Sequence, residues 1–193
     1  MFTRILLSSG MLYLTCFQPV QAEILDVRVT WTAAECQARC NKLLLAQFGK
    51  IYGVSSVQVN QAAGQADLKW KPKVIFSFRP IDSALRMVGP FPNDVRVKVR
   101  GKIQHDPVNV KIISDGDGTS FYLLNPIIPS KNQFVIEDSA FNRSLTPDMR
   151  NKLIEAQKNN QMVTIEGPLF EPYRSPPLRI VVESLNIEEV VKK

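Results

Sequence analysis

Apolar and polar positions alternate with a period of two over several short stretches of the chain and with helical spacing over three others. Ile24, Val27 and Val29 stand among polar neighbours up to Trp31, which predicts a strand. Thr32 and Glu35 have the T-x-x-E spacing of a capping box ahead of Ala33 to Phe48, where Cys36, Cys40, Leu43, Leu44 and Phe48 recur on one helical face. Gly49 and Gly53 punctuate the end of that helix, and Val54, Val57 and Val59 predict a second strand. A short turn at Ala63-Gly64 leads into a third strand, Ala66 to Trp70, so the two should pair as a hairpin. Val74, Phe76 and Phe78 alternate like a strand but are bracketed by Pro72 and Pro80. Ile81, Ala84, Leu85 and Val88 recur at helical spacing until Gly89-Pro90. Val95, Val97 and Val99 then alternate with Arg96, Lys98 and Arg100 as a strand.

Beyond residue 103 the pattern is largely that of strands: Val108 to Ile113, Thr119 to Leu124, Val163 to Gly167 and Leu178 to Leu185. One helix interrupts them, starting at Thr146-Pro147 with Thr as N-cap and Pro in the first turn, and running to about Lys158. The fold class read from this order is α+β. Residues 23–94 follow β-α-β-β-α-β, the split arrangement of ferredoxin-like domains. Residues 95–187 follow β-β-β-α-β-β, the order of a small five-stranded OB-like barrel, with the strand from Val95 closing the first unit and opening the second. Residues 188–193 read as a polar tail.

The first 22 residues read as a secretory signal: Arg4, the apolar run Ile5 to Phe17, and a small-residue cleavage site at Val20-Gln21-Ala22. Thr15 directly before Cys16 departs from a lipobox, which argues against lipidation. The exported chain would have no transmembrane anchor and would keep 23 basic and 18 acidic residues, net +5, with Cys36 and Cys40 as its thiols. That charge suits a protein partner or an anionic envelope surface, and export disfavours nucleic acid. One His in the whole chain excludes sites built on several histidines.

Residues 24 to 89 resemble the heavy-metal-associated domain of copper chaperones. The resemblance is carried by Val27-Arg28-Val29-Thr30, Gly53-Val54-Ser55-Ser56-Val57-Gln58-Val59, Gly64-Gln65-Ala66-Asp67-Leu68-Lys69-Trp70 and the short helix ending at Gly89. It implies the ferredoxin-like fold and a site for copper or another thiophilic metal at the first strand-to-helix junction, where that family carries M-x-C-x-x-C. In this chain Trp31 stands at the Met, Ala33 at the first Cys and Cys36 at the second, so the motif is degenerate, and Cys40 falls where the family has a buried aliphatic residue.

Three roles stay open for Cys36 and Cys40: packed thiols, a soft-metal site, or a disulfide, which regular helical i, i+4 geometry disfavours because the Cβ atoms lie about 5–6 Å apart. Arg96, Lys98, Arg100 and Lys102 line one side of a strand, and with Phe121 and Tyr122 could form a ligand or partner surface for a polyanion or glycan. Asp115-Gly116-Asp117-Gly118 reads as a hairpin turn, His105-Asp106 as a strand connection, Asn142-Arg143-Ser144 as a glycosylation sequon, and Tyr173 to Pro177 as a rigid Pro-rich loop. No nucleophile, base and acid stand at readable spacing, so the chain reads as a non-enzymatic binding or interaction protein. Metal binding or delivery by Cys36 and Cys40 is the alternative.

Overall fold

The computed structural model describes residues 23–36, 38–127, 143–174 and 176–189. Residues 1–22, read above as a secretory signal, Asn142 of the sequon, most of the connection between Asn125 and Ser144, and the end of the tail lie outside them. The protein is mixed α+β, with nine strands in one hydrogen-bonded sheet and three α-helices among the described residues.

In the first half, β1 (Ile24–Trp31), α1 (Ala38–Gly49), β2 (Val54–Asn60), β3 (Gln65–Trp70) and α2 (Arg79–Val88) lead into β4 (Pro92–His105). The strands lie in the order β2-β3-β1-β4, each antiparallel to its neighbour. The expected hairpin is present: Val57 faces Leu68 and Asn60 faces Gln65 across it. Gly64, at φ +59°, closes the turn, and its carbonyl accepts a hydrogen bond from the Trp31 backbone at 2.8 Å. Only a residue without a side chain fits there, because a Cβ would lie 2.3 Å from the Trp31 carbonyl oxygen.

The first helix differs from expectation. The Thr32 side chain makes no capping bond, Ala33–Glu35 forms a single 3₁₀ turn, and the α-helix starts only at Ala38. Leu44 and Phe48 are buried as expected, whereas Leu43 is 44% exposed, and Asn41 takes the buried position one turn earlier. The face that packs is therefore i, i+3, i+7 from Asn41, rotated from the one read off the cysteines.

The second half comprises β5 (Val110–Ser114), β6 (Ser120–Leu124), α3 (Pro147–Lys158), β7 (Val163–Pro168), β8 (Leu178–Val181) and β9 (Ser184–Ile187). Thr146 caps α3 as its sequence predicts, its hydroxyl accepting from the Met149 backbone N–H at 3.3 Å. The expected strand over Leu178 to Leu185 is interrupted at Val182-Glu183: β8 pairs parallel with β6, and β9 pairs antiparallel with β7. β4 is bonded to both β5 and β7, β5 to β6 and β6 to β8, and an isolated bridge between Leu169, just after β7, and Ile180 of β8 links the two ends into a circuit. Glycine allows the closest approaches on that circuit: a Cβ on Gly101 would lie 2.0 Å from the Ile113 carbonyl oxygen, and one on Gly167 would lie 1.8 Å from that of Val181.

β4 crosses the boundary expected at residue 94/95. Its first part pairs with β1, its end pairs with β5 on the same edge, and Arg96 to Gly101 pair with β7 on the other. One main core follows, in which Val27, Leu68 and Ile81 of the first half belong to the same buried cluster as Phe121, Leu153 and Ile165 of the second, beside a small separate cluster of Leu124, Phe170 and Val181. Phe76 joins them: its ring stands 4.9 Å from Trp70 and 5.9 Å from Phe121, centroid to centroid.

Candidate ligand-binding cleft

Cys36 and Cys40 form a disulfide, with their Cα atoms 5.2 Å apart. The helical geometry that argued against this bond does not apply, because Cys36 precedes α1 and has φ −127° and ψ 89°. Cys36 is buried, and its carbonyl accepts from the Asn41 side-chain amide at 3.0 Å, which ties the residue before the helix to the first turn. Bonded sulfurs present no thiolate, so in this state neither is available to a soft metal. Among the described residues, no three His, Cys, Asp or Glu side chains gather where they could hold a metal ion.

The four basic residues of the β4 stripe all meet partners within the chain. Arg96 bonds Asp94 and Glu183, Lys98 lies 3.5 Å from Glu166, Arg100 holds Glu188 through two bonds of 2.6 and 3.0 Å, and Lys102 donates to the Asn160 side chain. Three of these carboxylates sit on or beside β7 and β9, so the positive stripe and a negative one face each other along the same surface. Arg100 also sets the ionisation of its partner: its hydrogen bonds hold the Glu188 carboxyl below the usual glutamate range despite some desolvation. Glu188, expected in the tail, is thereby anchored, and its backbone N–H donates to the Met162 carbonyl. Of the two aromatics on β6, Phe121 points into the core and Tyr122 is half-buried.

A cleft of about 440 Å³ opens elsewhere, between the start of α2 with the segment before it and the connection from β7 to β8. Phe76, Ser77, Phe78, Arg79, Asp82 and Arg86 line one side, and Pro172, Tyr173, Arg174, Pro176 and Leu178 line the other. The segment before α2 is not a strand. Its Phe76 N–H donates to the Thr119 hydroxyl at 2.8 Å and to the Asp117 carboxylate at 3.3 Å, which takes the place of ladder bonds. Asp115 to Gly118 is a turn, as expected, with Gly116 at φ +90° and Gly118 at φ +72°, and its task is to present Asp117 and Thr119 to that segment. Phe78 then packs edge-on against Tyr173 at 5.2 Å, and Arg86 stands 5.9 Å over the Tyr173 ring. Asp82 holds Arg86 at 2.8 Å, Glu171 holds Arg174 at 3.0 Å, and Arg79 has no partner among the described residues.

The sequence reading missed this cleft because its walls come from residues about 90 positions apart. Two signals were nonetheless present: an F-x-F pair between prolines with no strand to join, and an aromatic within a Pro-rich loop. His105 lies on an exposed strand end, bonded to Gln157, and Asp106 folds back on the Val108 and Asn109 backbone as a connection. No described helix is long and apolar enough to cross a membrane. No protein-family model matches the chain, and comparisons with curated proteins and with solved structures likewise find no match.

Proposed function

We propose that this chain is an exported, non-enzymatic binding protein in which a degenerate heavy-metal-associated-like unit is fused to an OB-like barrel, with its ligand held in the cleft between α2 and the β7–β8 connection. The strand order β2-β3-β1-β4, with a helix on each crossover, supports the ferredoxin-like description of the first unit. The closed circuit of pairings supports the barrel description of the second, with β8 and β9 taken as one interrupted strand. The observation that carries the function is the cleft: both units contribute to it, aromatic and charged side chains converge in it, and its volume falls in the range of small-molecule sites.

The test is chemical-shift mapping of the purified chain against a fragment set, in wild type and in Tyr173→Ala. Binding that moves resonances of Phe78, Arg79 and Tyr173 and is lost in the variant supports the reading, and binding confined to other surfaces refutes it. The alternative, delivery of a soft metal, rests on the adjacency of Cys36 and Cys40 and requires both as thiolates. It predicts tight Cu(I) uptake after reduction, lost in Cys36→Ser. A reduced chain with the same Cu(I) affinity as the double serine variant excludes it.

A further inference from the structure

We propose that the cleft selects a ligand carrying a carboxylate or phosphate group on a flat apolar body, with Arg79 as the residue that receives the anion. This inference rests on the cleft being the binding site and names the chemistry it takes.

Three guanidinium groups line the cleft against one carboxylate, but two of the three are already occupied: Arg86 by Asp82 at 2.8 Å and Arg174 by Glu171 at 3.0 Å. These pairs set a carboxylate beside Arg86 and beside Arg174 and offset part of their charge. Arg79 is exposed and unpaired among the described residues, so its charge is left for something that enters. A guanidinium presents a planar fork of donors that matches a carboxylate or phosphate with two parallel bonds, which makes an oxyanion the fitting group.

The same accounting disfavours a cationic ligand. Asp82 is the carboxylate that lines the cleft, and Arg86 already occupies it. Tyr173 adds no negative charge: burial, and then the nearby Asp82 charge, push its phenol above the usual tyrosine range, so it keeps its proton at neutral pH.

The apolar part of the ligand follows from the opposite wall. Tyr173 is 54% exposed although Phe78 packs edge-on against it and Arg86 stands 5.9 Å from its ring centroid. A large aromatic held by neighbours and left open offers a ready surface for a second flat group, which gains both area burial and ring contact. Anion and ring thus have separate receivers on the two walls of one cleft, and a ligand that joins them in one molecule meets both.

The experiment titrates the full chain at low and at physiological salt with four probes: phenylacetate, phenyl phosphate, neutral phenylacetamide and inorganic phosphate, followed by chemical shifts and calorimetry. Both aromatic anions should bind at least about tenfold more tightly than the amide and should weaken with salt. Arg79→Gln should remove that advantage while leaving the amide unchanged, and Tyr173→Ala should weaken the aromatic probes but not inorganic phosphate. A preference between the first two probes distinguishes a carboxylate from a phosphate ligand. If the amide binds as well as the acids, or Arg79→Gln changes nothing, the anion assignment is overturned while the cleft stands as a site. If no probe moves a cleft resonance, the binding reading falls and this inference with it.

Discussion

Replacing Gly167 by alanine tests the closed circuit of strands at its tightest point. The added Cβ would sit 1.8 Å from the Val181 carbonyl oxygen, and Cβ atoms essentially never come within 3.0 Å of another heavy atom, so β7 and the end of β8 would have to part by at least about 1.2 Å. That oxygen belongs to backbone held on both sides: Val182 N–H bonds the Leu124 carbonyl at 2.8 Å, Glu183 N–H bonds the Glu166 carbonyl at 3.1 Å, and Leu169 bridges Ile180. The strain cannot be relieved by turning a side chain, because the obstacle is main chain. Overpacking of this kind costs about 1–3 kcal/mol, and each backbone bond stretched beyond use adds about 1 kcal/mol, so a loss of about 2–4 kcal/mol is expected. Urea unfolding followed by circular dichroism measures it through the shift in midpoint at constant slope. Gly49→Ala is the control: nothing lies within 4 Å of a Cβ there, and the change should be neutral or stabilising by up to about 1 kcal/mol. A Gly167→Ala protein within about 0.5 kcal/mol of wild type would refute the close approach of β7 to the end of β8.

Three further outcomes are expected. The Cys36–Cys40 bond closes a loop of about five residues, so replacing both by serine should lower stability by up to about 2 kcal/mol on the chain-entropy account, and a reductant should lower wild type but not the variant in the same urea assay. Thr146→Ala removes the cap of α3 and should cost about 1 kcal/mol, with faster amide exchange at Met149 as the local readout. Glu188 binds its proton more weakly in the folded protein than its ordinary value of 4.5, so its contribution is complete above that value and is lost as pH falls through the lower folded value. Because the pair is partly exposed and screened, Glu188→Gln should cost about 0.5–1 kcal/mol at neutral pH and less in acid, and an unchanged gap between the two pH profiles would count against the Arg100 pairing.

What the sequence reveals about this protein depends on how far each interaction reaches along the chain. The alternation of Val95, Val97 and Val99 predicts a strand because a period of two is local, and Thr146-Pro147 predicts a helix start because a cap acts over three residues. The T-x-x-E motif at Thr32 has the same local logic, yet no side-chain cap forms and the helix starts after Cys36, where a bond to Cys40 replaces the first helical turn. Arg96, Lys98 and Arg100 look like an open basic stripe because the carboxylates that meet them, Glu183, Glu166 and Glu188, lie on or beside β7 and β9, which come next to β4 only in the folded chain. The cleft is hidden for the same reason: Phe78 and Tyr173 are 95 positions apart, and only the docking of Phe76 on Asp117 and Thr119 brings their neighbourhoods together.

β4 has a consequence for how this molecule could be divided. Each residue from Arg96 to Val99 is registered to β1 on one edge and to β7 on the other. A cut before Val95 would take from β1 its partner on one edge, and a cut after His105 would take from β5 and β7 the strand they share, so no pair of fragments keeps the strand pairings of both halves whole. The amides in the middle of this strand should be the last to exchange with solvent, and the two halves should melt in one transition. A duplication or swap of either half alone would have to carry β4 with it.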